Sequence, residues 1–156
     1  NFTTIPAPAF AAISVEQLIQ RVINLFQPEM DTAGISFRSE HTPTPVIVQA
    51  DAEQLSMVLI NLIKNAKEAL RNVQSGDICI KNYSQNHFAF IEIIDNGPGI
   101  EPEALEEIFI PFYTTKENGS GIGLSLSRQI IQQHSGTIKV FSEPGKGSRF
   151  VIMLKI

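Results

Sequence analysis

Two runs of β-forming residues, at 77–83 and 88–95, constrain the fold of this chain more than any other feature of its sequence. Both are rich in isoleucine and aromatic residues, and only the polar turn Ser-Gln-Asn-His separates them. We therefore expect a β-hairpin. Further β-rich runs lie at 35–38, 46–50, 137–143 and 148–156. These runs predict additional strands in the same protein.

Two long amphipathic segments predict helices in the first half of the chain. Ser14 and Asp51 each precede apolar residues at helical spacing, and each is followed three residues later by a glutamine, which completes a capping box. We expect the first helix to end at Pro28 and the second to end at about Asn72.

Two more helices are expected later in the chain. Pro102 suits a first helical position, and its helix should end at about Phe109. Another helix is expected at about 122–135, with Gly136 as its C-cap. Because helices and strands do not alternate strictly, the order favours an α+β fold, a two-layer sandwich with helices on one face of a mixed sheet.

The composition is typical of one globular domain. The 156 residues are 43 % hydrophobic, which is enough for a single core. Residues 1–13 contain two prolines and no periodic pattern, so we expect a linker there and a single domain at 14–156. Because the chain lacks an initial methionine and ends within a predicted strand, we expect it to be a fragment of a longer protein.

Charge and cysteine content argue against several classes of protein. The net charge of −4 argues against a nucleic-acid partner, since such proteins need a basic surface. A single cysteine, Cys79, excludes an intrachain disulfide and suits a reducing compartment. No run reaches the roughly 18 apolar residues that a membrane-spanning helix needs.

The helix expected at 51–72 has an unusual polar flank. At about 100° per residue, Asn61, Asn65 and Glu68 lie within roughly 60° of one another, beside the apolar stripe. Asparagine is disfavoured inside helices, so two of them four residues apart need an explanation. One explanation is a set of oxygen ligands for Mg²⁺. The alternative is an exposed polar flank with no function.

Two glycine-containing loops also have two interpretations. Asp95 ends a strand before Asn-Gly-Pro-Gly, where its carboxylate could accept a hydrogen bond from an exocyclic amine, although such residues also form ordinary turns. Gly119, Gly121 and Gly123 lead into a helix, where backbone N–H groups could bind an anion or simply form a flexible loop. The spacing is not that of a Walker A motif, and no βαβ unit surrounds it.

An aromatic segment at 108–116 lies directly before the second glycine loop. Its aromatic side chains could anchor that loop on the core. Alternatively, the segment could be a mobile lid whose aromatics dock on a partner and whose Lys116 reaches a phosphate.

Together and in this order, the motifs resemble those of the ATP-binding catalytic domain of sensor histidine kinases. That domain belongs to a superfamily that also holds gyrase, heat-shock chaperone and mismatch-repair ATPases. The similarity extends from about Val46 to Ile152, more loosely from Ser14, and is closest to nitrogen-regulation-type kinases. NLIKNAKEAL is similar to the N box, DNGPGI to the first glycine box, IFIPFYTTK to the F box, GSGIGLSLSRQII to the second glycine box and GKGSRF to the closing glycine motif. The resemblance implies a Bergerat-type fold with a mostly antiparallel sheet and an ATP lid.

The resemblance implies ATP and Mg²⁺ as cofactors and a role for each matching residue. Asn65 would bind Mg²⁺, and Asn61 would support the phosphates or metal-bound water. Asp95 would accept a hydrogen bond from the adenine amine, with Ser148 assisting through water. Catalysis would depend on Asn61 and Lys116. The remaining expected nucleotide-binding residues are Glu68, Gly97, Gly99, Ile100, Ile108, Tyr113, Thr115, Gly119, Ser120, Gly121, Ile122, Gly123 and Leu124.

The implied activity is transfer of the γ-phosphoryl group of ATP to a histidine on a separate dimerisation domain of the same full-length protein. A response regulator would act downstream, and the chain would be the cytoplasmic part of a membrane-bound bacterial sensor. None of His41, His87 and His134 has the context of the phosphoacceptor, so the isolated chain should be unable to autophosphorylate. It should also be monomeric, because the resemblance implies that dimerisation occurs through the separate domain. Phe109 and Phe112 would anchor the lid or contact the dimerisation domain.

Glu68 departs from the pattern of many histidine kinases, which have a basic residue at that position. A carboxylate repels phosphate unless a metal ion or water intervenes. Lys67 points away from Asn61 on the helical wheel, so Lys116 is the better candidate cation.

Three other functions stay open at this stage. An anti-sigma-type serine kinase should lack the F box. A chaperone or topoisomerase ATPase should have glutamate where Asn61 stands. A nucleotide-binding pseudokinase that acts as a docking module would share the same residues, and phosphotransfer would distinguish it.

Overall fold

The computed structural model describes residues 5–110 and 123–156. Among these residues, five strands form one sheet in the order β2-β4-β5-β7-β6, and β1 pairs with β3 in a small antiparallel ribbon. Within the large sheet, β2 and β4 are parallel and the other pairs are antiparallel. The elements are β1 (Ala11–Ser14), α1 (Val15–Ala33), β2 (Ser36–His41), β3 (Ile47–Ala50), α2 (Ala52–Ala69), β4 (Asp77–Gln85), β5 (Phe88–Asp95), α3 (Pro102–Leu105), α4 (Gly123–Gln133), β6 (Thr137–Ser142) and β7 (Ser148–Lys155).

The predicted fold class is confirmed: helices pack on a mixed, mostly antiparallel sheet. Along β5, Ala89, Ile91 and Ile93 are buried on the side that faces the helices. The buried stripe of α2 packs against this row, and α1 and α4 each pack beside α2. Asp95 continues the same alternation, so the packing of the core brings a carboxylate to the edge of the helical layer.

The local signals that predicted helix starts and the hairpin are also confirmed. Ser14 accepts a hydrogen bond from the backbone N–H of Gln17, and Asp51 accepts one from that of Gln54. The hairpin turn is tighter than expected. It consists of only two residues, Asn86 and His87. Both have positive φ, which matches the twist of the flanking strands.

The predicted end of the first helix at Pro28 is wrong. The helix continues to Ala33, because Phe26 and Met30 on either side of the proline are both buried in the core. The proline removes one backbone donor, and this loss is smaller than the gain from burying another helical turn. Gly34 ends the helix instead, with a φ of 73° in the left-handed region.

Other expected boundaries also differ from the structure. The second and third helices end earlier than expected, at Ala69 and Leu105. Gly136 is not the left-handed residue after α4, since Ser135 has that conformation with a φ of 58°. A side chain at Gly136 would lie 2.4 Å from the carbonyl oxygen of Met153, so this glycine permits close packing on β7.

Strand β1 lies partly inside the segment expected to be a linker, because residues 11–14 pair with residues 47–50. Within the described ranges 5–110 and 123–156, no helix has both the length and the apolar character needed to cross a bilayer. The expected lid at 108–116 and the glycine loop that follows it fall mostly outside those ranges.

Candidate functional site

A cavity of about 880 Å³ lies between α2, the start of α4 and the loop after β5. This volume is typical of small-molecule sites. Every expected nucleotide-binding residue within the described ranges lines the cavity, namely Asn61, Asn65, Glu68, Asp95, Gly97, Gly99, Ile100, Ile108, Gly123, Leu124 and Ser148. The expected residues Phe112, Tyr113, Thr115, Lys116, Gly119, Ser120, Gly121 and Ile122 lie outside the described residues.

Asp95 is the buried acid of this cavity, with 6 % of its surface exposed. Its carboxylate accepts hydrogen bonds from the backbone N–H groups of Gly97, over 2.9 Å, and of Ser148. Burial raises the pKa of the Asp95 carboxyl above its ordinary value, and the two backbone donors act in the opposite direction. The carboxyl is therefore held by backbone groups while it remains in contact with the cavity.

The glycines after Asp95 permit close packing of the loop. A side chain at Gly97 would lie 3.0 Å from the carbonyl oxygen of Ala69 on α2. Gly99 has a φ of +81°, and a side chain there would lie 2.1 Å from the carbonyl oxygen of Glu143. Both positions thus keep the loop against its neighbours.

Asn61 connects the two helices that border the cavity. Its Nδ2 group donates to the carbonyl oxygen of Gly123, over 3.5 Å, and to the hydroxyl of Ser127, over 3.4 Å. Gly123 is the first residue of α4, so this contact joins the polar flank of α2 to the N-terminal end of α4. A helix N-terminus presents free N–H groups, which suits an anion at this end of the cavity.

The charged residues of α2 and of the turn after it form two groups, one that lines the cavity and one that does not. Glu68 pairs with Arg71 over 2.9 Å, and both line the cavity together with Lys64. Lys67 instead pairs with Glu29 of α1 over 3.0 Å and does not line the cavity. The sequence analysis missed Lys64 and Arg71. Lys64, three residues after Asn61, lies on the same flank of α2, whereas Arg71 lies beyond the end of that helix.

Apolar side chains form the opposite wall of the cavity. Ile108 and Phe150 are buried, and Ile100 is partly buried beside them. Phe109 packs edge-to-face on Phe150, with ring centroids 6.5 Å apart, and the Arg128 guanidinium lies 5.6 Å from the Phe109 ring. Phe109 is therefore anchored between β7 and α4.

None of the histidines lines the cavity. His134 is 7 % exposed and packs against Phe10, with ring centroids 5.3 Å apart. His41 contacts Ser39 and Asn82 through its two ring nitrogens, and His87 lies in the exposed hairpin turn. Their surroundings are those of packing and turn residues.

Comparison with known proteins identifies the family. A model described as histidine kinase-, DNA gyrase B- and HSP90-like ATPase matches residues 50–156. Sensor histidine kinase ZraS of Escherichia coli (strain K12) is 35 % identical over 148 residues, which are 95 % of this chain and 31 % of that protein. Sporulation kinase A of Bacillus subtilis (strain 168) is 36 % identical over 140 residues, 90 % of this chain and 23 % of that protein. The chain thus spans less than a third of each of these two relatives.

Solved structures agree in fold and in family. The nucleotide-free catalytic domain of histidine kinase ThkA superposes with a TM-score of 0.85 at 34 % identity, over 94 % of this chain and 95 % of that chain. ThkA has also been solved in complex with the response regulator protein TrrA, with a TM-score of 0.81 at 31 % identity, over 94 % and 41 % of the two chains. Full-length ShkA in complex with AMPPNP has a TM-score of 0.82 at 26 % identity, over 94 % and 31 %. The chain belongs to the histidine kinase-, DNA gyrase B- and HSP90-like ATPase family, and it is the catalytic domain of a histidine kinase.

Proposed function

We propose that this domain binds Mg-ATP in the cavity and donates the γ-phosphoryl group to a histidine on a separate dimerisation domain of the same full-length protein. The observation that carries the proposal is the placement of two kinds of groups in one cavity. The buried Asp95 carboxylate lies on the sheet side, and the amides of Asn61 and Asn65 lie on α2. ShkA, which shares this fold, was solved in complex with AMPPNP.

Asp95 would accept a hydrogen bond from the exocyclic amine of adenine. The carboxylate offers oxygen acceptors, and its backbone partners keep it from turning away from the base. Ile100, Ile108 and Phe150 offer apolar contacts for the purine ring. Ser148, which pairs directly with Asp95 across the strands, would assist in holding the base.

The donor set on α2 fits Mg²⁺, because this ion takes oxygen ligands and retains several waters and phosphate oxygens. Within the described residues, no group of three or more His, Cys, Asp or Glu side chains could hold a metal ion by itself. A Mg²⁺ ion beside Asn65 would therefore share oxygens of the nucleotide. When bound, it would neutralise part of the phosphate charge.

Catalysis would consist of positioning and charge stabilisation. Asn61 fixes the start of α4 against α2, so the N–H groups at that helix end can face the phosphates. Lys116 is proposed as a further cation, and no residue of this chain is proposed as a general base. A nitrogen–phosphorus bond to the acceptor histidine forms while the γ-phosphorus–oxygen bond breaks, and ADP leaves.

A response regulator is proposed as the downstream partner, because ThkA was solved in complex with one. We also propose that the domain works in the cytoplasm as part of a membrane-bound sensor and is monomeric in isolation. The cytoplasmic location and the membrane anchoring concern the full-length protein, whereas the monomeric state concerns the isolated domain.

The first test is titration calorimetry with ATP, with and without Mg²⁺. Wild type should bind, Asp95→Asn should lose affinity, and Asn65→Ala should lose the dependence on Mg²⁺. Asn24→Ala is the matched control, because Asn24 is an exposed asparagine on α1. Absence of binding in wild type with Mg²⁺, or full affinity in Asp95→Asn, would contradict the proposal.

The second test supplies a dimerisation domain from a related kinase together with labelled ATP. Acid-labile phosphate on that domain is expected, because a phosphoramidate is acid-labile. Acid-stable phosphate would instead indicate a serine kinase. Nucleotide binding without any transfer would indicate a docking module.

A further inference from the structure

A cluster of hydroxyl and backbone groups lies behind the base end of the cavity. The Oγ atom of Ser142, at the end of β6, accepts a hydrogen bond from the N–H of Ile100 over 2.8 Å. It lies 2.9 Å from the carbonyl oxygen of Gly147 and 2.9 Å from Oγ of Ser148. Ser142 itself does not line the main cavity, whereas Ile100 and Ser148 do.

The direction of each hydrogen bond follows from a count of protons. Ser142 has one hydroxyl proton, and the carbonyl oxygen of Gly147 can only accept. Ser142 therefore donates its proton to Gly147. The contact between the two serines then needs a proton from Ser148. In the opposite arrangement, two oxygen acceptors would face each other over 2.9 Å without a proton between them.

Because the Ser148 hydroxyl proton is donated to Ser142, the Ser148 oxygen offers only its lone pairs to the cavity. Its backbone N–H is also occupied, because it donates to the Asp95 carboxylate. The side chains of Asp95 and Ser148, paired across β5 and β7, therefore both present acceptors to a bound base.

We infer that Ser142 is a specificity-determining residue that acts through Ser148. It keeps the Ser148 hydroxyl proton away from the cavity, so that the acceptor atoms of Asp95 and Ser148 select a 6-aminopurine over a 6-oxopurine. The inference rests on the proposed binding of ATP and adds a residue to it. A 6-amino group donates to these acceptors, whereas a 6-oxo group would place another acceptor against them. With Ser142 removed, the Ser148 hydroxyl can rotate and donate to a 6-oxo group.

The test compares binding of Mg-ATP and Mg-ITP by calorimetry in wild type, Ser142→Ala and Ser142→Thr. Wild type should prefer ATP. Ser142→Ala should reduce the ATP-to-ITP affinity ratio roughly three- to tenfold, the effect of one neutral hydrogen bond. Ser142→Thr keeps the hydroxyl and should restore the ratio. Ser84→Ala is the matched control, since Ser84 is an exposed strand serine on β4.

The affinity ratio distinguishes a role in specificity from a purely structural one. A loss of packing would weaken both nucleotides equally and leave the ratio unchanged, and that result would overturn the inference. The inference would also be overturned if Ser84→Ala changed the ATP-to-ITP affinity ratio as much as Ser142→Ala does. If Ser142→Ala does not fold, Ser142→Cys provides the same comparison, because sulfur is a weak acceptor and should also lower the ratio. Failure of wild type to bind ATP would overturn the proposed function instead.

Discussion

The backbone N–H of Asp51 donates a hydrogen bond to Nε2 of His134 over 3.1 Å, although the two residues lie at the ends of different helices. On the other side of the ring, Nδ1 donates to the carbonyl oxygen of Ile130 over 2.8 Å. The ring thus accepts at Nε2 and donates at Nδ1, and it joins the start of α2 to the end of α4. These are the two helices that border the cavity.

This geometry predicts that His134→Phe lowers the free energy of unfolding. Phenylalanine keeps a ring of similar size but accepts no hydrogen bond, so the Asp51 N–H loses its partner. The expected loss is about 1–3 kcal/mol, measured by urea denaturation. The control is His87→Asn in the exposed hairpin turn, where φ is 67° and asparagine is favourable. An equal loss in both variants would contradict the role of His134.

Asp95→Asn should weaken ATP binding without lowering the stability of the folded protein at neutral pH. Affinity for ATP should fall roughly ten- to hundredfold, as for a hydrogen bond to a charged group. The folded protein should not lose stability at neutral pH, because the pKa of this carboxyl is raised by burial and its charged form is disfavoured.

The pH dependence of the Asp95 variant has a defined sign. Because the folded-state pKa is raised, the contribution of the Asp95 carboxyl to stability is present below its unfolded-state pKa and is lost as pH rises through its folded-state pKa. The stability of wild type relative to Asp95→Asn should therefore decrease from acid to neutral pH. Urea titrations at several pH values measure this, and an increase over that range would refute the assignment.

Because Glu68 and Arg71 form an ion pair, we expect the substitution of Glu68 to restore the ATP affinity that is lost when Arg71 alone is substituted. Arg71→Gln should weaken ATP binding several-fold, because it leaves the Glu68 carboxylate unpaired in the cavity wall. Glu68→Gln should bind ATP as well as wild type or better, and the double variant should lie near wild type.

Calorimetry on all four proteins of this cycle measures the coupling between the two side chains. Lys146→Gln is the control, because Lys146 forms a similar pair with Glu143, over 3.6 Å, outside the main cavity. Strictly additive effects of the two substitutions would exclude the compensation.

Gly99 and Gly145 provide a matched test of packing in the loop after Asp95. Both have a φ of +81°, so alanine is strained to a similar extent at either position. A side chain at Gly99 would lie 2.1 Å from a carbonyl oxygen, whereas nothing lies within 4 Å of one at Gly145. Gly99→Ala should therefore lower the melting temperature several degrees more than Gly145→Ala and should also weaken ATP binding.

The sequence predicted the parts of this domain that local rules control. Capping residues at Ser14 and Asp51 and the hairpin depend on neighbours in the chain, and each is confirmed. Helical spacing also brought Asn61, Asn65 and Glu68 to one cavity wall.

The errors occur where distant residues decide the outcome. The core contact of Met30 extends α1 past Pro28, and β7 requires a small residue at Gly136. Lys67 points away from the cavity, as its helical position predicted, and it pairs with Glu29. Arg71 lies beyond the end of α2, so helical spacing could not place its side chain in the cavity wall.

The position of Asp95 in the same inward row as Ala89, Ile91 and Ile93 has a consequence for engineering this domain. A slip of β5 by one residue would turn the core residues outward and would carry the carboxylate to the opposite surface. A library of core variants could therefore be sorted by retention on immobilised nucleotide, since only chains with the native strand register would present the acid to the ligand.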